Sequence, residues 1–232
     1  MTTVLLVRHG LTATTGAVLT GWTPGIGLDE RGKAQAETLA ARLERTGLDA
    51  IVTSPLQRCR ETAQAIADRR PGQKVEEDER LGECEYGDWT GQTLTDLQKD
   101  PLWPVVQQHP SAVTFPGGES MLDMQHRAVS AVREHNARLG KDATYLICSH
   151  GDVIKAIVAD SLGLHLDQSQ RIQVDPCSLT VIRYTPLRPF LTRLNDTGEI
   201  RLTEQQAGSD AAVGGGAGAA APQAQDDGRQ SG

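Results

Sequence analysis

TVLLVRHG, residues Thr3 to Gly10, and YLICSHG, residues Tyr145 to Gly151, decide the fold. In each, an unbroken apolar run stops at a polar residue followed by a histidine and a glycine. Apolar residues without alternation mark a strand buried on both faces. Such strands belong to parallel sheets covered by helices, whose ligands collect at the carboxyl ends of the strands. His9 and His150 both stand at that end. If the two strands are neighbours, both imidazoles project into one crevice, where Gly10 and Gly151 let the backbone turn sharply and approach a ligand closely.

The rest of the chain supplies the covering helices. Asp29 is placed to cap a helix in which Ala36, Leu39 and Leu43 recur at spacings of three and four, ended by Gly47. Ala50 to Thr53 reads as a second strand. Ser54 then predicts a capping hydroxyl, with Pro55 at the first helical position of a helix running to Asp68. Leu81 to Gly91 lacks periodicity and reads as a loop. From Glu119 to Leu139 a long amphipathic helix is expected, with Leu122, Ala128, Val129, Val132 and Leu139 as its apolar stripe. After the Tyr145 strand come a helix from Val153 to Leu162, a strand from Leu179 to Tyr184 and one more from Phe190 to Leu194. Strands alternating with helices predict a three-layer α/β fold, a mostly parallel sheet with helices on both faces. One folded domain spans 1–204. Residues 205–232 are Gly/Ala-rich with almost nothing to bury, and read as a disordered tail.

Composition narrows the partners. The net charge is −7, so sequence-independent nucleic-acid binding, which needs a basic face, is excluded. Any anion site must be a local reversal of the field. Cys59, Cys84, Cys148 and Cys177 form neither a C-x-x-C pair nor zinc spacing, which points to a reducing compartment. The apolar run at Val4 to Val7 is too short for a signal peptide or a membrane span. A cytoplasmic protein with no membrane partner is expected.

A local reversal is available. Arg8 adjoins His9, and Arg58 in TSPLQR falls in the first turn of a helix. There it opposes the helix dipole unless it grips an anion. Two guanidinium forks, two imidazoles and a helix N-terminus make a phosphate cradle. The plain alternative is that Arg8 and Arg58 pair with surface carboxylates.

With these residues in place the chain resembles the histidine phosphatase superfamily, the phosphoglycerate mutase-like group. The matching pieces are RHG at Arg8 to Gly10, SPLQRCRETA at Ser54 to Ala63, LGECEYGDWTG at Leu81 to Gly91, FPGGES at Phe115 to Ser120 and SHG at Ser149 to Gly151. They stand in the family's order and span nearly the whole chain before the tail. The resemblance implies that His9 is the nucleophile. It implies that Arg8, Arg58 and His150 hold the phosphoryl oxygens, and that Glu83 is the proton donor to the leaving oxygen. Glu76, Glu77, Asp78, Glu79 and Glu85 compete for that role as residue types, and most of the run reads as a solvated face. Thr12 and Gly151 join the phosphate site. Thr15 departs from the family, whose members often carry asparagine there. No metal and no cofactor is implied, and the partner is a small phosphorylated metabolite.

Five alternatives bear on this resemblance. Glu119 stands either in the family motif or as a helix cap. Trp22, Trp89 and Trp103 either line the substrate mouth or pack in the core. ICSHG approaches the serine-hydrolase elbow G-x-S-x-G, which would make Ser149 the nucleophile, although Ile147 replaces the first glycine. A phosphomutase, or a phosphate-binding module without turnover, would use the same core. The short stretch from Gly91 to Gly118 favours hydrolysis, because a mutase must shield its phosphohistidine from water.

Overall fold

The computed structural model describes residues 1–198. The domain end expected at 204 and the tail expected from 205 lie outside them.

Six strands form one sheet: β1 (Thr2–Arg8), β2 (Ala50–Thr53), β3 (Val75–Glu77), β4 (Thr144–Ser149), β5 (Leu179–Tyr184) and β6 (Pro189–Asp196), in the order β3-β2-β4-β1-β5-β6. Neighbours from β3 to β1 are parallel, and β5 runs against β1 and β6. The sheet is therefore mostly parallel, as expected. The three-residue β3 was not legible as a strand, because Glu76 and Glu77 are exposed at the sheet edge and leave no apolar run.

Period-two alternation explains why the central strands read as continuous apolar runs. Val4, Leu6, Tyr145 and Ile147 enter one core, while Leu5, Val7, Leu146 and Cys148 enter the other. α1 (Glu30–Leu43) and α2 (Gln57–Asp68) cover the second face. Two short helices follow in the chain, α3 (Leu94–Leu97) and α4 (Trp103–Gln108). α5 (Met121–Leu139) and α6 (Gly151–Leu162) cover the first face.

Helix starts show where local signals competed with tertiary demand. Asp29 caps α1 through Gly32 N–H, as its position predicted. Ser54 does not cap α2, which begins after Leu56, because its hydroxyl is turned toward His150. Ser120 rather than Glu119 caps α5, accepting from Asp123 N–H. Leu122, expected in the buried stripe, is 49% exposed; Met121 and Met124 take the core positions. Leu139, in the last turn, is half-buried and packs against the same core, as the stripe predicted.

Two close backbone approaches fix the loops that carry the site. A Cβ on Gly10 would stand 2.7 Å from the Gly32 carbonyl oxygen, so this glycine admits the N-terminus of α1 rather than a ligand. Gly87 has φ +54°, and a side chain there would strike the Pro116 carbonyl. The Leu81 to Gly91 segment is thereby seated on the Phe115 to Ser120 turn. Trp89 stacks on Trp103 at 6.2 Å and meets Phe115 edge-on at 5.3 Å. Both tryptophans are buried core residues and do not line a substrate mouth.

Candidate active site

Register brings the two histidines together. β1 and β4 are parallel neighbours with Arg8 opposite Ser149, so the next residues, His9 and His150, leave the sheet at the same level. His9 N–H continues the ladder to Ser149 O at 3.0 Å. The ring centroids lie 5.2 Å apart, edge to face.

The ring nitrogens have unlike partners. His9 Nδ1 lies 2.8 Å from the Gly10 carbonyl oxygen, which can only accept, so Nδ1 carries the proton and Nε2 holds the lone pair. Arg58 Nε donates to that Nε2 at 3.3 Å. Burial, then Arg58, then Arg8 hold the His9 pKa well below the ordinary value, so the ring is neutral at pH 7. His150 has both nitrogens engaged. Arg58 Nη2 donates to Nδ1 at 3.2 Å, which leaves Nε2–H to donate to Ser54 Oγ at 2.8 Å. Burial and the same arginines keep its pKa well below 6.5.

Arg58 is the hub. It projects from the first turn of α2, is buried, and also donates from Nη2 to Gly21 O at 2.9 Å. Its guanidinium therefore touches both imidazoles and the loop after β1. Arg8, at the end of β1, is buried and donates to Val174 O at 2.7 Å. The surface-pairing alternative fails for both arginines.

Among the acidic run, Glu83 is the buried carboxylate, at 4% exposure; Glu76, Glu77, Glu79 and Glu85 are exposed, and Asp78 is tied to Arg80 and His135. Burial and the nearby charge of Asp152 push its pKa up to about 7, against the pull of Arg58 and Arg8. Its Oε1 accepts from Cys84 N–H at 3.0 Å, and Oε2 lies 3.9 Å from His150 Nδ1. Its carbonyl oxygen accepts from Trp22 Nε1 at 2.5 Å and from Arg127 Nη2 at 2.9 Å. Trp22 thus holds the acid's backbone. Glu119, off the helix cap, accepts from Glu85 N–H and pairs with Arg127.

Arg8, His9, Arg58 and Glu83 line one cleft. Thr12 lines it too, with its hydroxyl 2.8 Å from that of Thr15, which in turn accepts from Thr12 N–H at 2.9 Å. Thr15 therefore folds the loop onto Thr12. His150 and Gly151 sit one layer back, outside the cleft lining; Gly151 is the first residue of α6. Ser149 is fully buried and donates to Leu81 O at 2.7 Å, with no path to a substrate, which removes the serine-hydrolase alternative. Among the described residues no cluster of three or more His, Cys, Asp or Glu is placed to hold a metal ion. No helix among them is long and apolar enough to cross a membrane.

Sequence reasoning missed the supports. Thr62 accepts from Gly10 N–H at 3.1 Å, and Tyr86 OH donates to Asp152 Oδ2 at 2.8 Å. An acidic residue directly after SHG was the visible signal for Asp152, whereas Thr62 and Tyr86 carried none.

Comparison with known proteins covers the same span. The profile of a family described as histidine phosphatase superfamily (branch 1) matches residues 4–197. Phosphoserine phosphatase 1 of Hydrogenobacter thermophilus is 33% identical over 175 residues, 73% of this chain and 81% of that protein. A 2,3-bisphosphoglycerate-dependent phosphoglycerate mutase of Brucella melitensis is 32% identical over 179 residues, covering 72% and 84%. Among solved structures, YhfR of Bacillus stearothermophilus superposes with a TM-score of 0.78 at 32% identity, over 84% of this chain and 98% of that one.

Proposed function

The chain belongs to the histidine phosphatase superfamily, and from that premise we propose that it hydrolyses small phosphomonoesters through a phosphohistidine on His9. The observation that carries this is a neutral imidazole whose free Nε2 points at Arg58, in a cleft shared with a carboxyl group of pKa about 7.

In the first half-reaction His9 Nε2 attacks phosphorus, and the phosphoryl–oxygen bond to the alcohol breaks. Glu83, protonated below pH 7, gives its proton to the leaving oxygen. Arg58 releases the Nε2 lone pair as its fork turns to the phosphoryl oxygens, which Arg8 and Thr12 also hold. His150 and Gly151 complete the cradle from behind, His150 by anchoring Arg58. In the second half-reaction water attacks phosphorus, the P–Nε2 bond breaks with its electron pair returning to His9, Glu83 takes the water's proton, and inorganic phosphate leaves. Arg8 and Thr12 are held in place before substrate arrives, so Arg58 is the donor that must turn.

The phosphomutase reading is not favoured. Between Gly91 and Gly118 the cover consists of α3, α4 and a short turn, and Lys99, its single Lys or Arg, is exposed and paired with Asp96. Such a cover is poorly suited to gripping a phosphorylated intermediate away from water. We assign the catalytic domain to 1–204 and place the enzyme in the cytoplasm, where four buried free thiols suit a reducing compartment. Acid-labile label on His9 after quenching with a labelled phosphoester, together with release of inorganic phosphate, is the expected result. With 3-phosphoglycerate and a bisphosphate primer, isomerisation that outruns phosphate release would replace hydrolysis by the mutase reaction. No label and no phosphate from any phosphomonoester would leave only a binding module.

A further inference from the structure

From the composition of the cleft mouth we infer that the substrate is the phosphate ester of an uncharged alcohol, not of a carboxylic acid and not a bisphosphate; this rests on the phosphatase reading above. The cleft separates into a charged floor and a neutral mouth. Arg8, Arg58, His9 and Glu83 make the floor. The mouth is made by the partly exposed Thr15, Gly16, Val18, Thr20 and Leu94; Leu19, Gly21 and Tyr86 also line the cleft but are buried. It offers hydroxyls, carbonyls and apolar surface, and among the described residues no Lys or Arg beyond Arg8 and Arg58 lines it.

Three other cations, Arg127, Lys155 and Lys99, are committed elsewhere. Arg127 binds Glu119 and the carbonyls of Arg80, Gly82 and Glu83. Lys155 is buried against Gln170 and Asp152, and Lys99 pairs with Asp96. A phosphate dianion uses both floor arginines. A second anionic group on the same substrate would lie in a mouth with no counter-charge, in a chain of net charge −7. A charge without a partner in a confined site is penalised heavily. A hydroxymethyl group or an apolar carbon in that place meets threonine hydroxyls and the faces of Val18 and Leu94 at no electrostatic cost.

The matched pair glycerol 3-phosphate and 3-phosphoglycerate tests this, since they differ only in a hydroxymethyl group against a carboxylate. With p-nitrophenyl phosphate as the reference substrate, kcat/KM for glycerol 3-phosphate should exceed that for 3-phosphoglycerate by about tenfold or more. The Leu94→Arg variant, which puts a cation in the mouth, should move that ratio toward 3-phosphoglycerate by roughly fivefold or more. Turnover of p-nitrophenyl phosphate with 3-phosphoglycerate equal or preferred would overturn the inference and leave the phosphatase standing. No turnover of p-nitrophenyl phosphate or of either ester would overturn the phosphatase, and the inference with it.

Discussion

The chain ends two neighbouring strands with the same His-Gly pair, and the two ends do different work. After β1, Gly10 is followed by a long loop, residues 11–29, that folds into the cleft mouth. After β4, Gly151 is already helical, and α6 closes over the strand end. His9 therefore faces the cleft, while His150 has no exposed surface. The bonds of the ring nitrogens follow from this placement. His9 gives Nδ1 to its own neighbour's carbonyl, and its Nε2 accepts from Arg58 beside the cleft; His150, fully buried, is held by Ser54 and Arg58 on opposite nitrogens. Residue type made both histidines candidates, and the backbone that follows each one divides the roles.

Replacing each ring is the strongest way to break that division. His9→Ala should abolish phosphoenzyme formation and lower kcat/KM on the order of 10⁴-fold, because the nucleophile is gone. His150→Ala should cost about 10²-fold, through an unanchored Arg58, and should still accumulate label slowly at residue 9. Quenched-flow labelling of both variants reads the difference. If the residue 150 variant forms no label while the residue 9 variant does, the roles are reversed.

Glu83→Gln sharpens the comparison from the acid's side. The loss should be about 10²- to 10³-fold with alkyl phosphates, whose alkoxide needs a proton, and much less with p-nitrophenyl phosphate, whose phenolate leaves unaided. The pH dependence follows from the raised pKa. Protonated Glu83 is the active acid, so the phosphorylation rate of alkyl esters should fall as pH rises through about 7. Stability has the matching sign. A carboxyl group whose pKa is about 7 folded and near 4.5 unfolded opposes folding increasingly from pH 4.5 to 7. The Gln variant should therefore be more stable than the parent at pH 8, by up to about 3 kcal/mol, and gain little at pH 4.5. Urea unfolding at the two pH values measures it, and equal gains at both would show that Glu83 is not held protonated by its surroundings.

Much of this was legible because the central strands are buried on both faces, which writes them as uninterrupted apolar runs such as Val4 to Val7. The helix at Asp29 was equally plain, since its cap and its apolar spacing agree. The Glu83 environment was not legible. It depends on Asp152 and Arg127, which arrive from helices far along the chain, and no spacing rule links them to residue 83. Trp89 and Trp103 were ambiguous for a related reason: an aromatic side chain reads alike whether it stacks in a core or borders a ligand. Ser54 was misread because two local signals, a hydroxyl and a following proline, pointed to a cap that tertiary contact overrode.

That override defines the smallest expected effect. Ser54 is fully buried, and its oxygen stands 2.8 Å from His150 Nε2 and 3.3 Å from Leu56 N–H. Were it a cap, Ser54→Ala would cost about 1 kcal/mol of stability with activity per folded molecule unchanged. As the acceptor for His150 Nε2–H, it fixes which nitrogen of that ring faces Arg58. Its loss leaves the buried N–H only the Cys59 sulfur, a weak acceptor at 3.4 Å, and frees the ring to present a proton to the guanidinium. Ser54→Ala should then lower kcat by about tenfold at full occupancy with the folded fraction unchanged. Ser54→Thr, which keeps the hydroxyl, should recover most of that loss. Denaturation and single-turnover measurements on the two variants separate the cases: a stability loss without a rate loss returns Ser54 to a purely local role and leaves His150 to be oriented by Arg58 and Cys59.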